Sequence, residues 1–192
     1  MHRLLHYEDY IQLELPVNKN AIDLESLNWM PYNPRKNINR FGCSITSLDG
    51  NDSGIPDLDS LTEYNRLHGT KYTEKDFSKP TVHATPFLDF LNTFTVGRSH
   101  YLKLNPGGFF PWHRDNDPTT FRIIYTIQNC SNHSMIWLED DKILPLENHS
   151  WYYINTRKKH ALFSFDGSIM AVFNVVFNTT TYNLLQNSMM IK

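Results

Sequence analysis

Recurrent runs of β-branched and aromatic residues after Ser99, turn signals between them and a change of texture near Gly97 together predict a mainly β fold. The class they fit is a double-stranded β-helix, a cupin-like jelly-roll barrel with supporting N-terminal helices. The predicted strands are 99–104, 108–113, 121–128, 134–138, 142–146, 150–155, 160–165 and 169–178, and eight of them suffice for a jelly roll. Turns are marked by Asn105-Pro106-Gly107-Gly108, Asp117-Pro118, Asp140-Asp141, Glu147-Asn148 and Asp166-Gly167, residues that tolerate or pre-set turn dihedrals. Ahead of Gly97, Asn33–Arg40 reads as loop and Asp49–Pro56 as turns. Ser60–Leu67 has helical spacing, and Pro86–Phe94 predicts a second helix with Phe87, Leu88, Leu91 and Phe94 on one stripe. The expected organisation is a single domain over 1–192: helical and loop support over 1–95, the β-barrel core over 96–180 and a tail over 181–192.

Composition narrows the function classes. With 40% hydrophobic and 20% charged residues among 192, the chain has the makeup of a folded globular domain and is too apolar for a disordered one. A formal charge of −2 leaves no net basic surface to neutralise phosphates, so nucleic acid is not an expected partner. The longest basic run, Arg157–Lys159, reads as a solvated turn. Cys43 and Cys130 are far apart and lack CxxC spacing, which argues against a disulfide framework or a zinc knuckle and fits a reducing compartment. Met1–Tyr10 is interrupted by charged residues and histidines, and no apolar run reaches the ~18 residues of a membrane span. A cytoplasmic protein without a membrane partner is the expectation.

The chemistry concentrates at His113-Arg114-Asp115. Residues two apart in an extended chain face one side, so the imidazole and carboxylate can converge on one ion. That pair alone is a weak signal, and a third ligand is needed. His160, at the start of a later predicted strand, supplies it, because the intervening strands let the chain cross the barrel and return. Two imidazoles and one carboxylate on one face leave adjacent octahedral positions open, the arrangement suited to Fe(II) oxygenases. A structural zinc site would be closed and would usually recruit cysteine.

From Tyr101 to Phe177, about two-fifths of the chain, the sequence resembles the aspartyl/asparaginyl β-hydroxylase family of 2-oxoglutarate-dependent oxygenases, which includes free-proline hydroxylases. Asn105–His113 is similar to the family's Pro-Gly turn leading to the first iron histidine, and Tyr153–His160 to the segment carrying the second. The resemblance implies Fe(II) and 2-oxoglutarate as cofactors, O2 as co-reactant, and hydroxylation of an amino acid or peptidyl side chain. It places Arg122, nine residues after His113, where an arginine binds a cosubstrate carboxylate. It also exposes a departure. The family carries an arginine ten residues beyond the second histidine for the distal carboxylate, and this chain has Met170 there. A buried carboxylate needs a cationic or hydrogen-bonding partner, so Arg122, Lys103 and Arg98 are the candidates for that role.

Two rival readings stand beside this one. A different cupin metalloenzyme would use the metal without 2-oxoglutarate, with Met170 in its favour. A non-catalytic β-sandwich module would use Trp112, Trp137 and Trp151 as a binding face, although such side chains more often form core. Arg40, Asp57 and Asp59 are candidate rim residues, although such residues are more often ordinary surface.

Overall fold

The computed structural model describes residues 8–32, 39–115, 117, 119–131 and 134–189. Its long strands are those with unbroken β-branched and aromatic content: β6 (Val96–Leu104), β8 (Thr120–Gln128) and β12 (Ser168–Val176). They pair antiparallel at the centre of a seven-stranded sheet, completed by β10 (Trp151–Ile154) and by three N-terminal strands, β1 (Tyr10–Leu13), β2 (Met30–Pro31) and β3 (Arg40–Ser44). The spatial order is β1-β10-β8-β12-β6-β3-β2. A second sheet of three strands, in the order β7-β11-β9, comprises β7 (Phe109–His113), β9 (Ser134–Leu138) and β11 (His160–Ser164). Between Ser44 and Val96 a small pair forms from β4 (Thr46–Ser47) and β5 (Lys79–Pro80).

The side-chain period of two gives the large sheet two different faces. One face of β8 and β12 presents Ile124, Met170 and Val172, which pack with Leu102 against Ile136, Leu138 and Leu162 of the three-stranded sheet. That contact is the interior of the jelly roll. The other face presents Ile123, Tyr125, Ala171 and Phe173, covered by the 3₁₀ turn Val82–Phe87 and helix α2 (Leu88–Thr93). There Phe87 meets Phe173 edge-on at 5.0 Å between centroids, and Phe90 stacks on Trp151 at 4.9 Å.

The mainly β, cupin-like architecture matches the sequence expectation; several details differ. Segment 142–146 does not form a strand, because it meets β9 through a single bridge, Trp137 with Ile143. Part of the N-terminal region is sheet rather than helical support: β1 pairs with β10 and β3 with β6, so both edges of the large sheet are N-terminal. Of the Asn33–Arg40 stretch, 33–38 lie outside the described residues, and Arg40 opens β3. The first predicted helix is α1 (Leu61–His68), ended by Gly69 in the left-handed region. Residues read as the start of a tail form α3 (Thr179–Asn187), whose first turn is fixed by Asn178 and Thr181 capping each other's backbone. Tyr182 and Leu185 anchor that helix in the outer core. No described helix is long and apolar enough to cross a membrane.

Candidate metal centre

The site sits where the inner faces of the two sheets meet at one end of the barrel. β7 and β11 run antiparallel with His113 directly opposite His160, so the pairing register brings the two imidazoles together. Phe110 pairs with Leu162, which leaves Pro111 and Trp112 of β7 opposite the single Ala161 of β11. This bulge allows both Phe110 and His113 to face the interior although strict alternation would put them on opposite sides. Asp115 lies beyond the end of β7, so strand alternation does not aim it. Its position is set by its own N–H, which donates to the Thr156 carbonyl at 2.9 Å in the turn preceding His160.

One nitrogen of each histidine and one Asp115 oxygen form a set of three atoms all within 4.8 Å of one another. The ring centroids of His113 and His160 are 4.3 Å apart, and His113 Nε2 is 3.8 Å from Asp115 Oδ1. Each Nδ1 faces a carbonyl two residues back in the chain, Pro111 at 2.6 Å and Lys158 at 2.9 Å. A carbonyl can only accept, so each Nδ1 carries a proton, and in a neutral imidazole that leaves the Nε2 lone pair free for a ligand. These are the tautomers a metal requires. Two imidazole nitrogens and one carboxylate, open on the cavity side, fit a divalent iron.

Arg122, on the inner face of β8, donates from Nη2 to Asp115 Oδ2 at 2.7 Å. Burial pushes the Asp115 carboxyl up, but Arg122, then His160 and His113, more than offset it, so its pKa falls below the ordinary value. Burial is the main cause that lowers the pKa of His160, which favours the neutral ligand form.

The three residues line a cavity of about 390 Å³. Next to the ligands its wall is polar. Arg98 holds Glu74 through two 2.8 Å hydrogen bonds, and Asn174 donates to the same carboxylate at 2.7 Å. Gly97 makes this possible: a Cβ there would lie 2.3 Å from the Glu74 carbonyl, so only glycine lets that segment settle on β6. Deeper in the barrel the wall turns apolar, with Leu102, Ile124, Ile136, Leu162, Met170 and Val172. His100 also lines the cavity, 3% exposed and stacked on Tyr32 at 4.7 Å, with its Nδ1 buried and unpartnered. Burial, followed by the charges of Arg98 and Arg122, pushes its pKa well down and keeps it neutral.

The structure therefore brings together His113, Asp115, His160 and Arg122. Lys103 is not among them. It stands between Leu102 and Leu104 on β6 and so faces the other way, with its ammonium 5.2 Å from the Trp29 ring centroid. Arg98 lines the cavity but is fully engaged by Glu74 and by the Asp57 and Asp59 carbonyls. Arg40 lies over Phe110 at 3.9 Å, and Asp57 accepts from Leu48 N–H away from the ligands. Trp151 is core, whereas Trp112 and Trp137 are exposed on the three-stranded sheet. Glu74, Asn174, Tyr32 and His100 were not singled out by sequence.

No protein-family model and no curated protein sequence matches the chain. Among solved structures, a 2OG-Fe(II) oxygenase family oxidoreductase from Burkholderia pseudomallei aligns over 91% of this chain and 88% of its own, with 11% identity and a TM-score of 0.50. A cupin domain from Bordetella pertussis aligns over 42% of this chain and 81% of its own, at 12% identity and a TM-score of 0.35. An RmlC-like cupin protein from Desulfovibrio desulfuricans covers 41% and 70%, at 10% identity and a TM-score of 0.32. The first likeness shows the fold over nearly the whole chain.

Proposed function

We propose that this chain is a mononuclear iron(II) oxygenase that couples a 2-oxo acid, the class to which 2-oxoglutarate belongs, to hydroxylation of an amino acid or peptidyl side chain. The observation that carries the reading is the His113, Asp115 and His160 triangle, with both Nδ1 atoms tied to carbonyls and the opposite side open to a cavity. The likeness in fold to a 2OG-Fe(II) oxygenase family protein supports it, as does the sequence resemblance to the aspartyl/asparaginyl β-hydroxylase family.

Iron(II) held by this donor set would supply activation of O2 beside a bound organic acid. The overall reaction balances as R–CO–COO⁻ + O2 + S–H giving R–COO⁻ + CO2 + S–OH. The C1–C2 bond of the oxo acid breaks, C1 leaves as CO2, and the new carboxylate and the alcohol each take one oxygen atom from O2. The protein's share is positional. Arg122 lies where its guanidinium can meet the 1-carboxylate while it orients Asp115. Inside the cavity Arg98 cancels Glu74 and Arg122 cancels Asp115, so a divalent cation leaves a positive site that an anionic oxo acid neutralises.

A second reading, a cupin metalloenzyme that uses no oxo acid, is favoured by the apolar surroundings of Met170. Anaerobic addition of Fe(II) and then a 2-oxo acid separates the two. Stoichiometric iron binding with a visible charge-transfer band on adding the acid is the expected result; iron binding without a band would leave the second reading. Failure to bind iron at all would remove both.

A further inference from the structure

Among the described residues, one buried cation of the inner face has no counter-ion. Arg40 on β3 pairs directly with Leu104 of β6, a residue of the inner core, so its side chain shares the inward face. It is 8% exposed, and its Nε is buried without a hydrogen-bond partner. Burial lowers its pKa to about 10, opposed by Tyr32, so it keeps its charge at neutral pH. A buried charge without a partner is costly. Two rings offset only part of that cost: the centroids of Phe110 and Tyr32 lie 3.9 Å and 5.8 Å from the guanidinium carbon, and a ring face does not accept an N–H as an oxygen does.

Those rings connect Arg40 with the candidate metal centre. Phe110 and Tyr32 line the same cavity as His113, and the Phe110 and His113 centroids are 6.0 Å apart. Tyr32 is fixed over β3 by its N–H, which donates to the Arg40 carbonyl at 3.0 Å. Gly42 leaves it room, since a Cβ there would lie 3.2 Å from the Tyr32 ring and 2.8 Å from Leu58. Two further polar atoms on this part of the inner face are buried and unpartnered: Nδ1 of His100, whose ring stacks on Tyr32, and Oγ of Ser168, which faces Leu104 from β12 on the same rung as Arg40. Arg122 stands three strands away and is neutralised by Asp115. The inner face thus has two arginine poles, one matched and one not.

We infer that Arg40 is an anion-binding residue of this cavity and takes a carboxylate of an organic acid at the corner formed by Tyr32, Phe110 and His100. The inference deepens the function proposed above and rests on it only for the source of that carboxylate, which is a second carboxylate on the oxo acid or the carboxylate of the substrate. Either source presents two oxygens in one plane, the shape that a guanidinium fork matches.

The first test needs no metal. Thermal unfolding of the iron-free protein is followed as glutarate is added, for wild type and for Arg40→Met, which keeps an apolar stem without the charge. Wild type is expected to melt progressively higher and the variant not to respond. A response that is equal in the two proteins, or absent from both, overturns the inference. Arg40→Gln replaces the methionine variant should that one not fold. The second test assigns the source. Fe(II)-loaded protein is titrated anaerobically with 2-oxoglutarate and with 2-oxopentanoate, which lacks the distal carboxylate, while the visible charge-transfer absorption is followed. If the oxo acid brings the carboxylate, wild type binds 2-oxoglutarate about tenfold or more tightly, and Arg40→Met loses that preference. If the substrate brings it, the variant binds both oxo acids as wild type does. No band with either acid, in protein that holds iron and still responds to glutarate, removes the oxo-acid reading and leaves the Arg40 site standing.

Discussion

The two faces of the seven-stranded sheet are made by the same strands and do opposite work. On β8 the outward residues Phe121, Ile123, Tyr125 and Ile127 all enter the outer core, whereas the inward row runs Arg122, Ile124, Thr126. On β12 Ala171, Phe173 and Val175 point outward and Met170, Val172 and Asn174 inward. Along β8 and β12 the outer face carries no charge and is closed by aromatic contacts. The inner face ends in two ion pairs and a cluster of metal-ligating atoms. Residue parity along a strand thus separates stability from chemistry, and substitutions on the two faces should fail in different assays.

The sharpest break is expected on the inner side. His160→Ala removes one of two nitrogens, so iron affinity should fall by about 100-fold or more and turnover should vanish. Thermal unfolding of the iron-free variant should stay close to wild type. Dialysis against Fe(II) with metal analysis reads the first, and a melting curve the second; a variant retaining full iron would remove His160 from the site. The counterpart outside is Phe87→Ala. Phe87 is fully buried among Tyr101, Tyr125, Trp151 and Phe173. Its loss should cost about 3–5 kcal/mol in a denaturant titration, while the molecules that remain folded bind iron as before.

How far the sequence revealed this division depends on the range of the interactions involved. The barrel strands were legible because β-branched and aromatic runs between turn residues are local signals, and His113, Asp115 and His160 because their side-chain types announce ligands. Strands β1 and β3 were not, since Tyr10–Leu13 and Arg40–Ser44 become strands by pairing with β10 and β6, far away in the chain. Segment 142–146 has strand composition, yet only one bridge holds it to β9. The Glu74 cluster was equally hidden: its carboxylate meets Asn174 across 100 residues of sequence. Gly97 was the one local sign of that close approach. Parity was an available signal that the reading of Lys103 did not use, because Leu102 and Leu104 on either side fix its direction outward.

Arg122 tests the joint between the faces, since it lies on the inner row and orients Asp115 rather than filling the core. Arg122→Ala should weaken iron binding by about 10- to 100-fold and raise the oxo-acid concentration needed for half-saturation, with Arg122→Lys recovering part of the charge but not the directed hydrogen bond. Unchanged iron affinity in the alanine variant would mean that Asp115 does not need its partner. Smaller still is the pH dependence of the iron-free protein. His100 has its folded pKa pushed well below the ordinary 6.5, chiefly by burial. Below that value the unfolded chain takes a proton that the folded imidazole refuses, so stability is full above it and is lost as pH falls. The slope contributed should approach about 1.4 kcal/mol per pH unit. Urea titrations on either side of 6.5 measure it, and His100→Gln should flatten the profile; an unaltered slope in that variant would assign the proton uptake elsewhere.

The smallest effect should come from Lys103, and it is informative because of its size. Lys103 and Arg122 are both cations on central strands, and sequence alone offered both for the same carboxylate. Their parity differs: Lys103 leans over Trp29 on the outer side, while Arg122 reaches Asp115 within the cavity. Lys103→Ala should therefore cost no more than the cation–π contact and some packing, about 0.5–1 kcal/mol. Iron affinity and the oxo-acid titration should be indistinguishable from wild type. A weakened oxo-acid titration in Lys103→Ala, with iron still bound, would mean that the outward face takes part in ligand binding, and the separation of the two faces would fail at β6.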